Sequence, residues 1–176
     1  MLKLGTHNSL SYHLPQWWMI PFMWMARCQR LNIEEQYVLG VRYFDIRPKL
    51  VGGRVVAGHG LATYKLDMDK VWKFLDDKGD CIVRVFCESG DTGTLVNYIN
   101  EVMLRYPNIQ YVGGYQRYKG KIVPLPDMDE NRYYWEKKPD TRFCIPFPWI
   151  YSVLHNKKNK AFINEDVYSV FDFINI

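Results

Sequence analysis

The chain has 176 residues, a formal charge of +4, and 48% hydrophobic against 24% charged residues. That suits a single domain spanning 1–176, too short for two ordinary domains and too apolar for wholesale disorder. The mild positive bias favours an anionic surface such as phospholipid headgroups and lacks the dense basic character of a nucleic-acid binder.

Taken in chain order, residues 2–6 predict a short strand that runs into the loop Thr6-His7-Asn8-Ser9. A secretory signal is not expected, because its cleavage would remove that loop. Residues 10–26 read as irregular or partly helical, interrupted by Pro15 and Pro21. Their apolar run from Trp17 to Ala26 is about ten residues, short of the roughly 20 that span a bilayer, so the chain is expected to be soluble or peripheral to a membrane. Trp17, Trp18, Phe22 and Trp24 in this run have two readings. One is a patch that dips into lipid while Arg27 and Arg30 meet anionic headgroups; the other is a buried lid in which Met and Trp fill irregular gaps.

Residues 28–39 predict a helix stopped by Gly40, followed by a β-rich strand from Val41 to Arg47. Gly52-Gly53 turns the chain into a second short strand, 54–57, which ends at Gly58-His59-Gly60. Residues 67–78 have helical spacing with Asp67 as N-cap and Gly79 as stop. The run from Cys81 to Cys87 reads as a buried parallel strand broken only by Arg84, which either faces a phosphate or pairs with Glu88 or Asp91. Thr92 or Thr94 is expected to cap a helix that Pro107 ends. Short strands follow at 109–113, 121–125 and 131–136. Residues 139–160 have no assignment, and 167–176 read as a strand carrying Asp172. Cys28, Cys81, Cys87 and Cys144 form no C-x-x-C pair, which argues for free thiols over a zinc cluster or a disulfide framework.

Alternating strands and helices imply an α/β fold with parallel crossovers. An eight-stranded (β/α)8 TIM-type barrel of this length has about 22 residues per unit against roughly 30 in a typical one. A barrel here is therefore compact, distorted or reduced, with several helices shrunk to loops.

His7-Asn8, Asp45 with Arg47, and His59 all fall at C-terminal ends of predicted strands, the edge where parallel α/β folds assemble their sites. Asp172 lies in the final strand, beside the first if the sheet closes. Two imidazoles, one accepting and one donating a proton, suit phosphodiester cleavage near neutral pH. A guanidinium can hold two phosphate oxygens with a bidentate fork, and a carboxylate can orient the base imidazole. His13 and His155 have no such context.

Three pieces in this order, Gly5-Thr6-His7-Asn8-Ser9, the run from Gln36 to Arg47, and Gly58-His59-Gly60, resemble the phosphatidylinositol-specific phospholipase C superfamily, especially its bacterial-type catalytic domain. The strand from Cys81 to Glu88 and the closing Val170-Phe171-Asp172-Phe173 add to the resemblance. It implies a distorted eight-stranded barrel and attack on phosphorus by a hydroxyl of the substrate's own headgroup, giving a cyclic phosphate. His7 then matches the family's general base, His59 its general acid, and Arg47 the phosphate-binding arginine of metal-free members. Asp45 matches the adjacent acidic residue and Asp172 the aspartate that orients the base. Asn8, Arg84 and Glu88 are the expected substrate-binding residues.

Asn8 stands where metal-free bacterial members usually carry aspartate, and asparagine there is typical of calcium-dependent relatives. Arg47, in turn, would repel Ca²⁺ and supply positive charge itself. The expectation is therefore a site without a cofactor, with Ca²⁺ at Asn8, Asp45 and Glu88 as the alternative. The expected partner is a phospholipid or other phosphodiester, with peripheral membrane contact through Trp17, Trp18, Phe22 and Trp24. A metal-dependent glycerophosphodiesterase-like or sphingomyelinase-like enzyme, and a catalytically silent lipid- or phosphosugar-binding module, are the rival functions.

Overall fold

The computed structural model describes residues 3–118, 121–124, 133–134, 148–160 and 168–174. Strand β1 (Leu4–Thr6) leads through a 3-10 turn (Trp17–Phe22) to helices α1 (Met23–Ala26) and α2 (Ile33–Val38). Next come β2 (Val41–Ile46), β3 (Pro48–Val51), β4 (Arg54–His59), β5 (Ala62–Tyr64) and helix α3 (Met68–Lys78). The chain continues with β6 (Ile82–Cys87), α4 (Thr92–Arg105), β7 (Gln110–Tyr118), β8 (Lys121–Pro124), β9 (Tyr133–Tyr134), α5 (Pro148–Lys160) and β10 (Tyr168–Phe171). Cys144 and the rest of 135–147 lie outside the described residues.

The helix boundaries follow from local chemistry. Helix α2 starts five residues later than its apolar pattern suggested, because Asn32 and Glu35 close a reciprocal capping box, Glu35 N on Asn32 Oδ1 and Asn32 N on Glu35 Oε2. Upstream, Cys28 N and Gln29 N donate to Ser11 Oγ instead of entering a helix. Helix α3 matches expectation: the Asp67 carboxylate caps its first turn, and Gly79 ends it with a left-handed φ of 70° that a side chain would resist. Its Met68, Val71, Trp72 and Leu75 are buried, each contributing about 1.5–3 kcal/mol by leaving water. The cap of α4 is Asp91, one residue before the expected threonines, and it accepts from both N and Oγ1 of Thr94.

Seven strands form one sheet in the order β8-β7-β6-β2-β1-β10-β9, parallel at every pairing except β7 with β8. The fold is thus mixed α/β with a parallel sheet. Among the described residues β8 and β9 are its edges, so no closed barrel is seen. One face, with Phe44, Ile46, Val83 and Val85, joins the main core together with Trp72, Leu75, Leu95 and Ile99 from α3 and α4. The other carries a smaller apolar cluster of Tyr43, Val112 and Val170. Asp45 and Arg84 are register partners on β2 and β6, which explains a charge inside an otherwise apolar strand.

Strands β3, β4 and β5 form a separate antiparallel sheet, so His59 arrives on a hairpin and not on a strand of the parallel sheet. The hairpin is joined to the end of β2, where Gly58 N donates to Arg47 O at 2.9 Å. Close approach favours glycine at position 58, since a Cβ would meet Lys49 Cδ at 2.8 Å and the Ala62 carbonyl oxygen at 3.0 Å. Among the described residues no helix is long and apolar enough to cross a membrane. Trp17, Trp18, Phe22 and Trp24 are exposed, Trp17 to 81%, so only Met19 of that turn fits the buried-lid reading.

Candidate active site

Strand register brings the site together. Thr6 of β1 lies opposite Phe171 of β10 on one side and Phe44 of β2 on the other. The next residue along each strand is His7, Asp172 and Asp45, at one edge of three adjacent parallel strands. Asp172 lies just past the end of β10, not inside the strand, which places its carboxylate at this edge. Glu88 follows β6 at the same edge.

His7 Nδ1 is 2.7 Å from Asp172 Oδ1, and His7 Nε2 is 2.6 Å from Arg47 Nη2. A guanidinium only donates, so Nε2 must be the accepting nitrogen and the ring proton sits on Nδ1, donated to Asp172. That is the tautomer a general base needs.

Arg47 is buried and its three nitrogens are all engaged. Nε donates to Asp45 Oδ2 at 2.8 Å, Nη1 to Glu88 Oε1 at 2.7 Å, and Nη2 to His7. Burial alone would lower its pKa, but the carboxylates of Asp45 and Glu88 more than reverse this, so it stays charged. Nε and Nη1 are thus tied to carboxylates, and Nη2 is the nitrogen turned to His7.

Asp45 is the hub of the network. Its Oδ1 accepts from Arg84 Nη1 at 3.0 Å, and its Oδ2 accepts from Arg47 Nε and, at 2.9 Å, from Asn8 N. Burial opposes its ionisation, yet Arg47, Arg84 and His7 together hold its pKa far below the carboxylate range. Arg84 therefore pairs with Asp45, a partner the sequence did not suggest. The Phe86 ring lies beneath both guanidinium carbons, at 4.8 Å from that of Arg47 and 5.3 Å from that of Arg84.

The His59 ring stands 6.0 Å from that of His7, edge to face at 85°. Its Nδ1 lies 3.0 Å from the Ala26 carbonyl oxygen, an acceptor only, so Nδ1 carries the proton and Nε2 remains for a ligand. Burial, followed by the charges of Arg47 and His7, pushes the His59 pKa down to about 4 against the opposing pull of Glu88 and the Ala26 carbonyl. The two rings differ in the partner on Nδ1: a carboxylate for His7, a neutral carbonyl for His59.

Three carboxylates (Asp45, Glu88, Asp172) face two guanidinium groups (Arg47, Arg84), and the Lys49 ammonium acts on Glu88 from the hairpin. The calcium alternative fits this arrangement poorly. Both Asp45 oxygens and Glu88 Oε1 already hold arginines, and the Asn8 amide nitrogen points at Cys28 Sγ, 3.8 Å away. A Ca²⁺ at those residues would have to displace two guanidinium groups.

The loop that carries His7 is held by residues to which the sequence reading gave no role. Gln29 Nε2 donates to the carbonyls of His7 and Phe171, at 3.0 and 2.8 Å. Gln36, fully buried on α2, donates to the Ser9 and Leu31 carbonyls and accepts from Thr6 Oγ1. Asn8 adopts φ = 45°, a left-handed conformation asparagine tolerates better than most residues. The sequence signal for these amides is weak: two glutamines in segments that otherwise read as ordinary helix.

No family model matches the chain, and no curated protein matches it in sequence. Among solved structures, the phosphatidylinositol-specific phospholipase C from Listeria monocytogenes is similar, with a TM-score of 0.62 and 14% identity. The match covers 99% of this chain and 89% of that one. The chain has a phospholipase C-like fold. At that identity the likeness is one of architecture, and the roles of the site residues rest on their own geometry.

Proposed function

We propose that this protein is a phospholipase C-like phosphodiesterase that cleaves a phospholipid or polyol phosphodiester without a metal, through a cyclic phosphate. The observation that carries this reading is a pair of imidazoles 6.0 Å apart, one backed by a carboxylate and the other by a carbonyl, with Arg47 on the Nε2 of the first. The fold likeness to an enzyme named for phosphatidylinositol cleavage supports it. The same reading takes the seven-stranded sheet as the greater part of a reduced (β/α)8 barrel.

In this mechanism the phosphate draws Arg47 Nη2 away from His7, freeing Nε2 to take the proton of a headgroup hydroxyl. That oxygen attacks phosphorus in the same molecule, a step helped by proximity. Asp172 stabilises the imidazolium that results, and Arg47 balances charge growing on the phosphoryl oxygens. His59 is neutral in the free protein at pH 7 because its pKa is near 4. An anionic phosphodiester placed beside His59 favours the charged ring, so it binds together with a proton, which His59 Nε2 takes up. That proton passes to the leaving oxygen as the phosphorus–oxygen bond to the lipid breaks. Asn8, Arg84 and Glu88 act by holding Asp45 and Arg47, while exposed Trp17, Trp18, Phe22 and Trp24, with Arg27 and Arg30, meet the lipid surface.

The test is incubation with phosphatidylinositol, phosphatidylcholine and glycerophosphoinositol in the presence of EDTA. Cleavage of the inositol diesters is expected to persist in the chelator. Absence of turnover by folded protein would favour a silent binding module, and loss in EDTA with rescue by Ca²⁺ would favour the metal-dependent rivals.

A further inference from the structure

Behind the His7–Asp172 pair lies a thiol for which the proposed mechanism has no use. Cys28 is fully buried, and its Sγ, His7 Nδ1 and an Asp172 carboxylate oxygen all lie within 4.8 Å of one another. Cys28 Sγ also approaches His59 Nδ1 at 4.0 Å. The three donors come from separate places in the chain: the loop after β1, the residue after α1 and Arg27, and the residue after β10. Sequence spacing could therefore not reveal them as a group.

We infer that Cys28, His7 and Asp172 form a binding site for a thiophilic divalent cation such as Zn²⁺, and that its occupation switches the protein off. A thiolate, an imidazole and a carboxylate are the donor types zinc takes, and three protein ligands leave a fourth position for water or a phosphate oxygen. With Zn–S near 2.3 Å and Zn–N near 2.1 Å, the ligand atoms of a tetrahedral site stand about 3.5 Å apart. Cys28 Sγ therefore has to move in from within 4.8 Å while His7 Nδ1 and Asp172 Oδ1 part from 2.7 Å, both by small side-chain rotations. Charge agrees, because a Cys28 thiolate and the Asp172 carboxylate together balance the two charges of the cation. The site is distinct from the calcium alternative, since Asp45 and Glu88 stay with their arginines on the other side of His7.

Binding is balanced as follows. The Cys28 thiol loses its proton to solvent as the Zn–S bond forms, which the metal must drive because burial and Asp172 raise that thiol's pKa. Zinc takes the Nδ1 lone pair of His7, so the ring proton moves to Nε2. An Nε2–H can neither accept from Arg47 nor take a proton from substrate, and Asp172 is diverted from the imidazole to the metal. The base is lost twice over.

The test uses the intact protein and Co²⁺ as a spectroscopic stand-in for Zn²⁺. One equivalent of Co²⁺ is expected to give a thiolate-to-metal charge-transfer band in the near ultraviolet, bleached by one equivalent of Zn²⁺. Cys28→Ser and Cys28→Ala, each checked for folding by circular dichroism, are both expected to lose that band. A band that persists in either folded variant, or no band with the wild type, would overturn the assignment. The switch-off rests on the proposed cleavage, whereas the spectra need no substrate. Wild-type turnover that is unaffected when the site is spectroscopically full of Zn²⁺ would therefore sink the inhibition alone, and absence of turnover without metal would sink the proposed function alone.

Discussion

The two histidines sit in differently built surroundings. His7 belongs to the parallel sheet, where adjacent strand ends supply Asp172 and Asp45 on either side and Gln29 fixes its backbone. His59 belongs to a hairpin outside that sheet, and its Nδ1 donates to the neutral Ala26 carbonyl. The difference teaches how one pocket holds an imidazole for each direction of proton transfer. A carboxylate favours the charged ring that follows proton capture, whereas burial and the nearby Arg47 charge make a protonated His59 ready to surrender its proton.

Removing either ring breaks the comparison outright. His7→Ala and His59→Ala are each expected to lower turnover about 10²–10⁴-fold, the range for a general base or acid. The measurement is steady-state cleavage of phosphatidylinositol by protein whose circular dichroism matches the wild type.

Arg47 links the two halves, and Arg47→Ala should tell on stability as well as on cleavage. Asp45 keeps Arg84, but Glu88 loses its guanidinium partner in a buried setting, a change that costs about 3–5 kcal/mol. Urea unfolding is expected to show that loss. Histidine ring titration by NMR is expected to show the His59 pKa rising above about 4, because Arg47 is one of the charges that depress it.

The smallest effect is on the pH dependence of stability. The His59 pKa is about 4 in the folded chain, against an ordinary value of 6.5. Between these values the unfolded chain binds more protons, so stability is full above pH 6.5 and falls as pH drops towards 4. Asp45, with its depressed pKa, adds stability above the ordinary carboxylate range that is lost only at more acid pH. His59→Gln is expected to flatten the Tm profile between pH 4 and 6.5 and leave the steeper acid limb, as followed by thermal melts across buffers.

Much of the His7 side was legible in the sequence because it is built from strand ends. Apolar runs bounded by glycine and proline locate β1, β2 and β6, and polar residues at their C-terminal ends fall on one edge of a parallel sheet. The His59 side was less so: Gly52-Gly53 marks the turn, but nothing local says that 48–64 forms a sheet of its own apart from the parallel one. Partners distant in sequence were also hidden. Arg84 meets Asp45 through strand register, and Cys28 reaches Asp172 because Phe173 N donates to the Cys28 carbonyl and Gln29 bonds Phe171 and Ile174 once β10 has joined β1. The extent of α2 was misjudged for an energetic reason: apolar spacing continues to 28, but a capping box and a serine hydroxyl give those backbone groups better partners outside a helix.

Phosphorus NMR of a phosphatidylinositol digest in EDTA tests most directly whether two rings and one guanidinium suffice to break the diester. The expected result is an early resonance from a five-membered cyclic inositol phosphate, seen with wild-type protein and lost with His59→Ala. An acyclic phosphomonoester as the first product, or a signal that needs added Ca²⁺, would contradict it.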